Sequence, residues 1–302
     1  MTFDALEAYR RMYLIRKVED AIAERYHEGK MRLPVHLSQG QEAGAVALAM
    51  AMRPGDKLYA SHRSHHPYLA LGGSVERLIA ELYGRPEGAT GGWGGSMYLF
   101  GADVGFGGSF AVVGDCISVG LGAAWAFHLD TLLGASDEGR AAWVLFGDSA
   151  PEAGQFWEAL NFAALHKLPV VFICENNGIA TQTPQAQRQP PPAIWQRVAP
   201  WMSSQHVSDR QGVEAVYNCI MAARESAPAF VEIQTYRYRE HVGPNASPEH
   251  DVTDAIKTDP LQRLENQLIA NFAGVHKLKP IWAVANEAIM QAFEKAEAAV
   301  MA

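Results

Sequence analysis

Trp143-Val144-Leu145-Phe146-Gly147-Asp148-Ser149 and, further along, Val170-Val171-Phe172-Ile173-Cys174-Glu175-Asn176-Asn177-Gly178 decide how this chain folds. Each stretch opens as a short unbroken apolar run, as a strand buried on both faces does, and each ends in polar and glycine residues. Between them Phe156, Leu160, Ala163 and Ala164 fall on one helical face, and the pattern stops near Lys167, ahead of Pro169. The reading is one β-α-β turn. A right-handed crossover brings both strand ends to the carboxyl edge of a parallel sheet, where α/β proteins bind ligands. Asp148 and Asn177 are then expected side by side at a helix N-terminus. Two hard oxygen ligands suit Mg²⁺, and a helix N-terminus suits a diphosphate.

The rest of the chain keeps alternating between the two periodicities. Phe3 to about His27 carries Leu6, Tyr9, Tyr13 and Ile22 among Arg and Glu, which predicts an amphipathic helix. An alanine-rich helix is expected from Ala43 to Met52, closed by Pro54-Gly55-Asp56, and Leu58-Tyr59-Ala60 is a short strand. Gly91-Gly92-Trp93-Gly94-Gly95 marks a loop that needs close backbone approach or positive φ, although a plain tight turn also explains such a cluster. After Phe106-Gly107-Gly108 a second loop leads through Ala111-Val112-Val113-Gly114 into a small-residue helix from Ile117 to Leu129. Thr181 to Pro192, rich in Gln and Pro, reads as a loop. Strands are expected at Val207-Ser208-Asp209 and Phe230 to Thr235, and helices after Asp259-Pro260 and Ile281. The fold class is α/β: a doubly wound, mostly parallel sheet flanked by helices. With no repeat and no linker, residues 1–302 are expected to form one domain.

Composition narrows the function. The net charge of −8 argues against nucleic acid, which requires a basic face. No stretch has the length and apolarity of a membrane span, and no secretory signal opens the chain. Cys116, Cys174 and Cys219 lack metal-ligand spacing. Reduced thiols in the cytoplasm are the expectation.

A Gly-Asp followed, one β-α-β turn later, by Asn-Asn resembles the thiamine-diphosphate signature. Nearly the whole chain resembles, in order, the α subunits of 2-oxo acid dehydrogenase E1 components (pyruvate, branched-chain and acetoin types), most closely a compact bacterial group. The resemblance rests on His36-x-x-x-Gly40-Gln41-Glu42, His62-Arg63-Ser64-His65, Gly94-Gly95-Ser96-Met97, Glu158-Ala159-Leu160-Asn161, Glu232-x-x-Thr235-Tyr236-Arg237-Tyr238 and Asp259-Pro260. Each motif is weak alone; their common order makes the match specific.

The resemblance implies a thiamine-diphosphate fold and assigns residues. Asp148, Asn177 and the carbonyl of Ile179 would hold Mg²⁺, with Gly147, Ser149 and Ala150 beside the diphosphate. Ser149 replaces the family's second glycine, yet it keeps its backbone N–H and is a candidate helix cap. Arg63 would grip the diphosphate, as a planar guanidinium does well. His62 stands where the family usually has Tyr. Backbone at Ala111 and Val113 would hold the aminopyrimidine. Arg237 is either a phosphate ligand or the hydrogen-bonding end of a buried strand. His36 and His241 match family histidines at the mouth of the active site, near the cofactor's reactive ring or its phosphate, with His241 also counted among the cofactor-binding residues. Such groups can steer a substrate carboxylate and donate a proton, the alternative being solvated loop side chains. For Arg63 a surface ion pair, and for His62, His65 and His66 a zinc site, are the competing readings.

The glutamate that activates the thiamine ring comes from a separate β subunit in this family, so an α2β2 heterotetramer is implied, inert without its partner. The N-terminal helix and the small-residue helix at Gly120 to Ala126 are candidates for that interface, the alternative for each being packing in its own core. The resemblance implies decarboxylation of a 2-oxo acid and transfer of the acyl unit to a lipoyl-bearing acyltransferase. A carboligase or transketolase-like reaction and a catalytically silent scaffold are the alternatives. Val242-Gly243-Pro244-Asn245 follows His241 where mitochondrial types carry a regulatory serine, so that phosphorylation switch is not expected.

Overall fold

A computed structural model describes residues 2–135, 139–247, 252–271 and 275–299. Its strands are β1 (Lys57–Ser61), β2 (Phe106–Phe110), β3 (Ala142–Gly147), β4 (Val170–Asn176), β5 (Ile179–Ala180), β6 (Thr183–Pro184), β7 (Ser203–Ser208) and β8 (Ala229–Gln234). Its helices are α1 (Ala5–Arg25), α2 (Glu42–Ala51), α3 (His65–Ala70), α4 (Val75–Leu82), α5 (Asp115–Leu132), α6 (Gly154–His166), α7 (Ile194–Val198), α8 (Val213–Glu225), α9 (Val252–Lys257), α10 (Pro260–Asn271) and α11 (Lys279–Ala298).

Six strands pair in parallel in the order β2-β1-β3-β4-β8-β7, while β5 and β6 make a small antiparallel hairpin. Side chains alternate across this sheet into two cores. Trp143, Leu145, Val171, Ile173, Val231 and Ile233 face one side, against α1, α2, α4 and α8. Ala142, Val144, Phe146, Phe172, Cys174 and Phe230 face the other, against α5, α6 and α7. Burial on both faces is why β3 and β4 read as unbroken apolar runs instead of alternating ones. This is a doubly wound α/β sheet, as expected.

Gly120 sets how closely α5 approaches: a Cβ there would lie 2.5 Å from Val144 Cγ2, so only glycine lets the helix settle on β3. At the opposite end of the strands Asp56 accepts from Ala141 N at 2.8 Å and Trp143 Nε1 at 3.0 Å, and pairs with the buried Arg224. The glycine loop after α4 wraps a carboxylate. Glu81 accepts the backbone N–H groups of Thr90, Gly92, Gly94 and Gly95.

Three expectations change and one open choice is resolved. Phe106-Gly107-Gly108-Ser109-Phe110 is an edge strand, hidden by two glycines that strands normally avoid. β7 begins at Ser203, because an edge strand with a half-exposed, polar sequence carries little apolar signal. Ser149 does not cap a helix through its side chain; a 3₁₀ turn at Ala150–Glu152 follows it, and α6 starts only at Gly154. Asp148 therefore sits ahead of that turn, not at the first turn of α6. Finally, α1 buries Tyr9, Met12, Ile15, Val18 and Ile22 in its own core, which leaves that face unavailable to a partner.

Candidate active site

The carboxyl ends of the parallel strands open into a cleft of about 190 Å³ that gathers every residue the resemblance assigns to cofactor, metal or catalysis. The end of β1 supplies His62 and Arg63, and the segment after β2 supplies Ala111 and Val113. Gly147, Asp148, Ser149 and Ala150 come from the end of β3, and Asn177 and Ile179 from the end of β4. Arg237 and His241 follow β8, and His36 enters from the loop before α2. A larger cavity of about 660 Å³ opens beside it, walled by Pro190 to Pro192 and sharing Asn177. The chemistry-bearing groups converge on the smaller one.

Its cations are buried. Arg63 donates to the Leu37 carbonyl and, at 3.1 Å, to that of His241, and it makes no ion pair among the described residues. Burial and the nearby Arg237 push its pKa down to about 9. Arg237 is almost wholly buried and donates to the carbonyls of Arg239 and Thr181. The surface ion pair considered for Arg63 is thereby excluded. Arg237 combines both readings, being a buried hydrogen-bonding side chain that also lines the cleft.

The carboxylate is buried as well. Burial raises the pKa of Asp148 against the pull of Arg188, whose guanidinium pairs with Asp148 Oδ2 and with Glu152. Gln189 donates to the Asp148 carbonyl. Thr181 to Pro192 thus includes the β6 strand and a 3₁₀ turn, and lies across the cleft through Arg188.

Asn177 is held at the other end of a polar chain. Its Nδ2 donates to Gln41 at 3.1 Å, Gln41 donates to Glu175 at 3.3 Å, and Glu175 Oε2 meets His66 Nε2 at 2.9 Å. Asn177 Oδ1 takes the N–H of Ile179 at 3.2 Å. A second chain fixes the His36 loop: the His36 N–H donates to Ser96 Oγ, which lies 2.8 Å from His65 Nε2, while His65 Nδ1 is 3.5 Å from Glu19. Burial opposes ionisation of Glu19, but His65 and Ser38 outweigh it and hold its pKa low.

The three histidines weighed as a zinc set therefore separate. His65 and His66 are turned into the core by α3, toward Glu19 and Glu175, while His62 faces the cleft. There its ring meets two others, with centroids 4.9 Å from His36 and 5.4 Å from His241. Burial, with Arg63 and His241 close by, pushes His62 down to about 3, and burial with its histidine and arginine neighbours pushes His36 down to about 2. Gln41, Glu175 and Arg188 were missed as site residues. Glu175 carries a signal in hindsight, a lone carboxylate closing an apolar strand, and Arg188 is the sole charged residue from Thr181 to Pro192.

Carboxylate and amide at adjacent strand ends, in one cleft with two buried arginines, place the polar groups of this protein where doubly wound α/β folds carry their sites. The chain belongs to the dehydrogenase E1 component family, whose model matches residues 10–302, and it is of the α-subunit type. It is similar to the pyruvate dehydrogenase E1 component subunit alpha of Rhizobium meliloti, 37% identical over 79% of this chain and 68% of that one. The corresponding Zymomonas mobilis protein is 35% identical over 90% of this chain and 77% of its own. The chloroplastic subunit alpha-3 of Arabidopsis thaliana is 33% identical over 98% of this chain and 71% of its own.

Proposed function

We propose that this chain is the α half of a thiamine-diphosphate- and Mg²⁺-dependent E1 enzyme that decarboxylates a 2-oxo acid. The observation that carries the reading is the pairing of opposite deficits in one cleft. Arg63 is a buried cation with no ion-pair partner among the described residues, which a diphosphate would neutralise. Asp148 is a buried carboxylate whose neutralising charge is a guanidinium, a position a divalent ion fits. Asp148, Asn177 Oδ1 and the Ile179 carbonyl would supply hard oxygens to Mg²⁺, and Arg63 and Arg237 would hold the phosphates. When bound, thiamine diphosphate supplies an electron sink for decarboxylation. Ala111 and Val113 line the cleft, and their backbone would hold its aminopyrimidine. His36 and His241, both lining the cleft, would orient a substrate carboxylate and give or take a proton.

The partner proposed is a β-type subunit that contributes the activating glutamate, in an α2β2 assembly. Exposed apolar side chains on α5 and α6 (Val119, Leu129, Leu132, Phe162 and Leu165) favour such a partner. The acyl unit would pass to a lipoyl-bearing acyltransferase, and the setting would be cytoplasmic. No helix among the described residues is long and apolar enough to cross a membrane.

Native mass spectrometry of the chain purified from its host, with thiamine diphosphate and Mg²⁺ present, tests the reading. A heterotetramer carrying the cofactor is expected. A cofactor-free homo-oligomer would replace it with the silent scaffold, and a loaded enzyme that turns over a 2-oxo acid only with an aldehyde or ketone acceptor would replace it with the carboligase.

A further inference from the structure

The three imidazoles that meet in the cleft come from three separate segments: His36 before α2, His62 after β1 and His241 after β8. Their candidate ligand nitrogens all lie within 4.8 Å of one another. The rings stand edge to face, with centroids 4.9, 5.4 and 5.4 Å apart. His36 Nδ1 and His62 Nδ1 are both buried without a hydrogen-bond partner among the described residues. A buried orphan nitrogen is costly, and two rings of one cluster each carry one that no group among the described residues satisfies.

We propose that His36, His62 and His241 form a transition-metal site for a borderline divalent ion such as Zn²⁺, separate from the oxygen ligands at Asp148 and Asn177. Three imidazoles and an open fourth position are the donor set of a zinc centre that keeps one place for an exogenous oxygen. Nitrogens bonded to Zn²⁺ at about 2.0–2.1 Å sit about 3.3 Å apart, so closing the cluster takes side-chain shifts of about 1 Å. Mg²⁺ demands oxygen and octahedral geometry, and the cluster offers neither. The groups facing the cluster from neighbouring elements are Arg63 at the end of β1 and Arg237 after β8. Their positive charge opposes a dication, so the site is expected to bind more weakly than a structural zinc centre. His62 decides the site's existence, because a tyrosine there would supply a phenol in place of the third imidazole.

Titration of the tag-free, chelator-treated full chain with Co²⁺ alone tests this. A single Co²⁺ per chain is expected, with the visible bands of a four-coordinate nitrogen site, displaced by Zn²⁺ and unaffected by Mg²⁺. His62→Phe and His36→Phe should each weaken binding by at least about tenfold, while His128→Ala on the α5 surface leaves it unchanged. No stoichiometric Co²⁺, or binding indifferent to His62→Phe, overturns the site. Should His62→Phe lose its fold, His62→Cys decides: thiolate charge-transfer bands support the site, and an unchanged spectrum overturns it. Failure here would leave the diphosphate reading intact, since that one is tested with the cofactor and Mg²⁺.

Discussion

Arg188 donates through Nη2 to Oδ2 of Asp148, so the carboxylate presented by the end of β3 already holds a cation. The same side chain reaches Glu152 and anchors the Thr181 to Pro192 segment across the cleft. A divalent ion at Asp148 has to displace that guanidinium. Arg188→Ala is therefore expected to raise the apparent Mg²⁺ affinity of the cofactor-bound enzyme by roughly tenfold, a shift of about 1.4 kcal/mol. Asp148→Ala should abolish Mg²⁺-dependent cofactor binding. Calorimetric titration reads both, and unchanged Mg²⁺ affinity in Asp148→Ala would remove the metal assignment.

Arg63 should dominate diphosphate affinity. Replacing its guanidinium with the shorter, neutral and flexible side chain in Arg63→Met removes charge-assisted hydrogen bonds worth about 1.5–3 kcal/mol, or about 10–150-fold in Kd. The change also relieves a buried cation, so the metal-free, cofactor-free variant is expected to unfold no lower than the parent. A calorimetric Kd within twofold of the parent, with an unchanged melting profile, would place the diphosphate elsewhere.

His241 offers a different signature. Its backbone carbonyl, not its ring, accepts from Arg63, so His241→Ala leaves that contact standing. Turnover is expected to fall by about 10²–10⁴-fold while cofactor affinity changes little. Equal turnover on the natural 2-oxo acid would take His241 out of the reaction.

The depressed histidines predict an acid-labile fold in the metal-free chain. An unfolded chain protonates each ring near pH 6.5, but burial holds His62 to about 3 and His36 to about 2. Between about pH 6.5 and 3 the unfolded state binds more protons than the folded one. Stability is thus full above pH 6.5 and falls as the pH drops through that window, by up to about 1.4 kcal/mol per pH unit for each ring. Urea midpoints from pH 7.5 to 4.5 should show this slope, and His62→Gln should flatten it.

A stability control lies at the far end of the sheet. Asp56→Ala leaves Arg224 buried without its carboxylate and strips partners from Trp143 and Ala141. The expected loss is about 3–5 kcal/mol in chemical denaturation, with no direct effect on the cleft.

Much of this was legible in the residues themselves. β3, β4 and β8 announced themselves because two-sided burial leaves no room for polar side chains, and the polar residues that end the first two marked the ligand edge. What escaped was structure held by partners distant in sequence. Phe106 to Phe110 is a strand because β1 pairs with it, not because two glycines favour one. His62, His65 and His66 share a stretch of chain, yet α3 turns the latter two into the core, and the histidines that join His62 come from the far sides of the fold. Arg188 gave only the faint signal of a charge alone in a polar loop. The sequence left open what α1 packs against, because amphipathic periodicity shows that a face is buried without saying against what.

Gly147 on β3 pairs in register with Glu175 on β4, so Asp148 and Asn177 spring from neighbouring rungs of one backbone ladder. The gap between them is measured out by main-chain hydrogen bonds common to any sequence able to form the two strands. The helices that cover the sheet are free to drift without moving that gauge. Divergent lineages can inherit the cation seat almost unaltered, and natural variation in specificity is expected in the terminal loops that surround it.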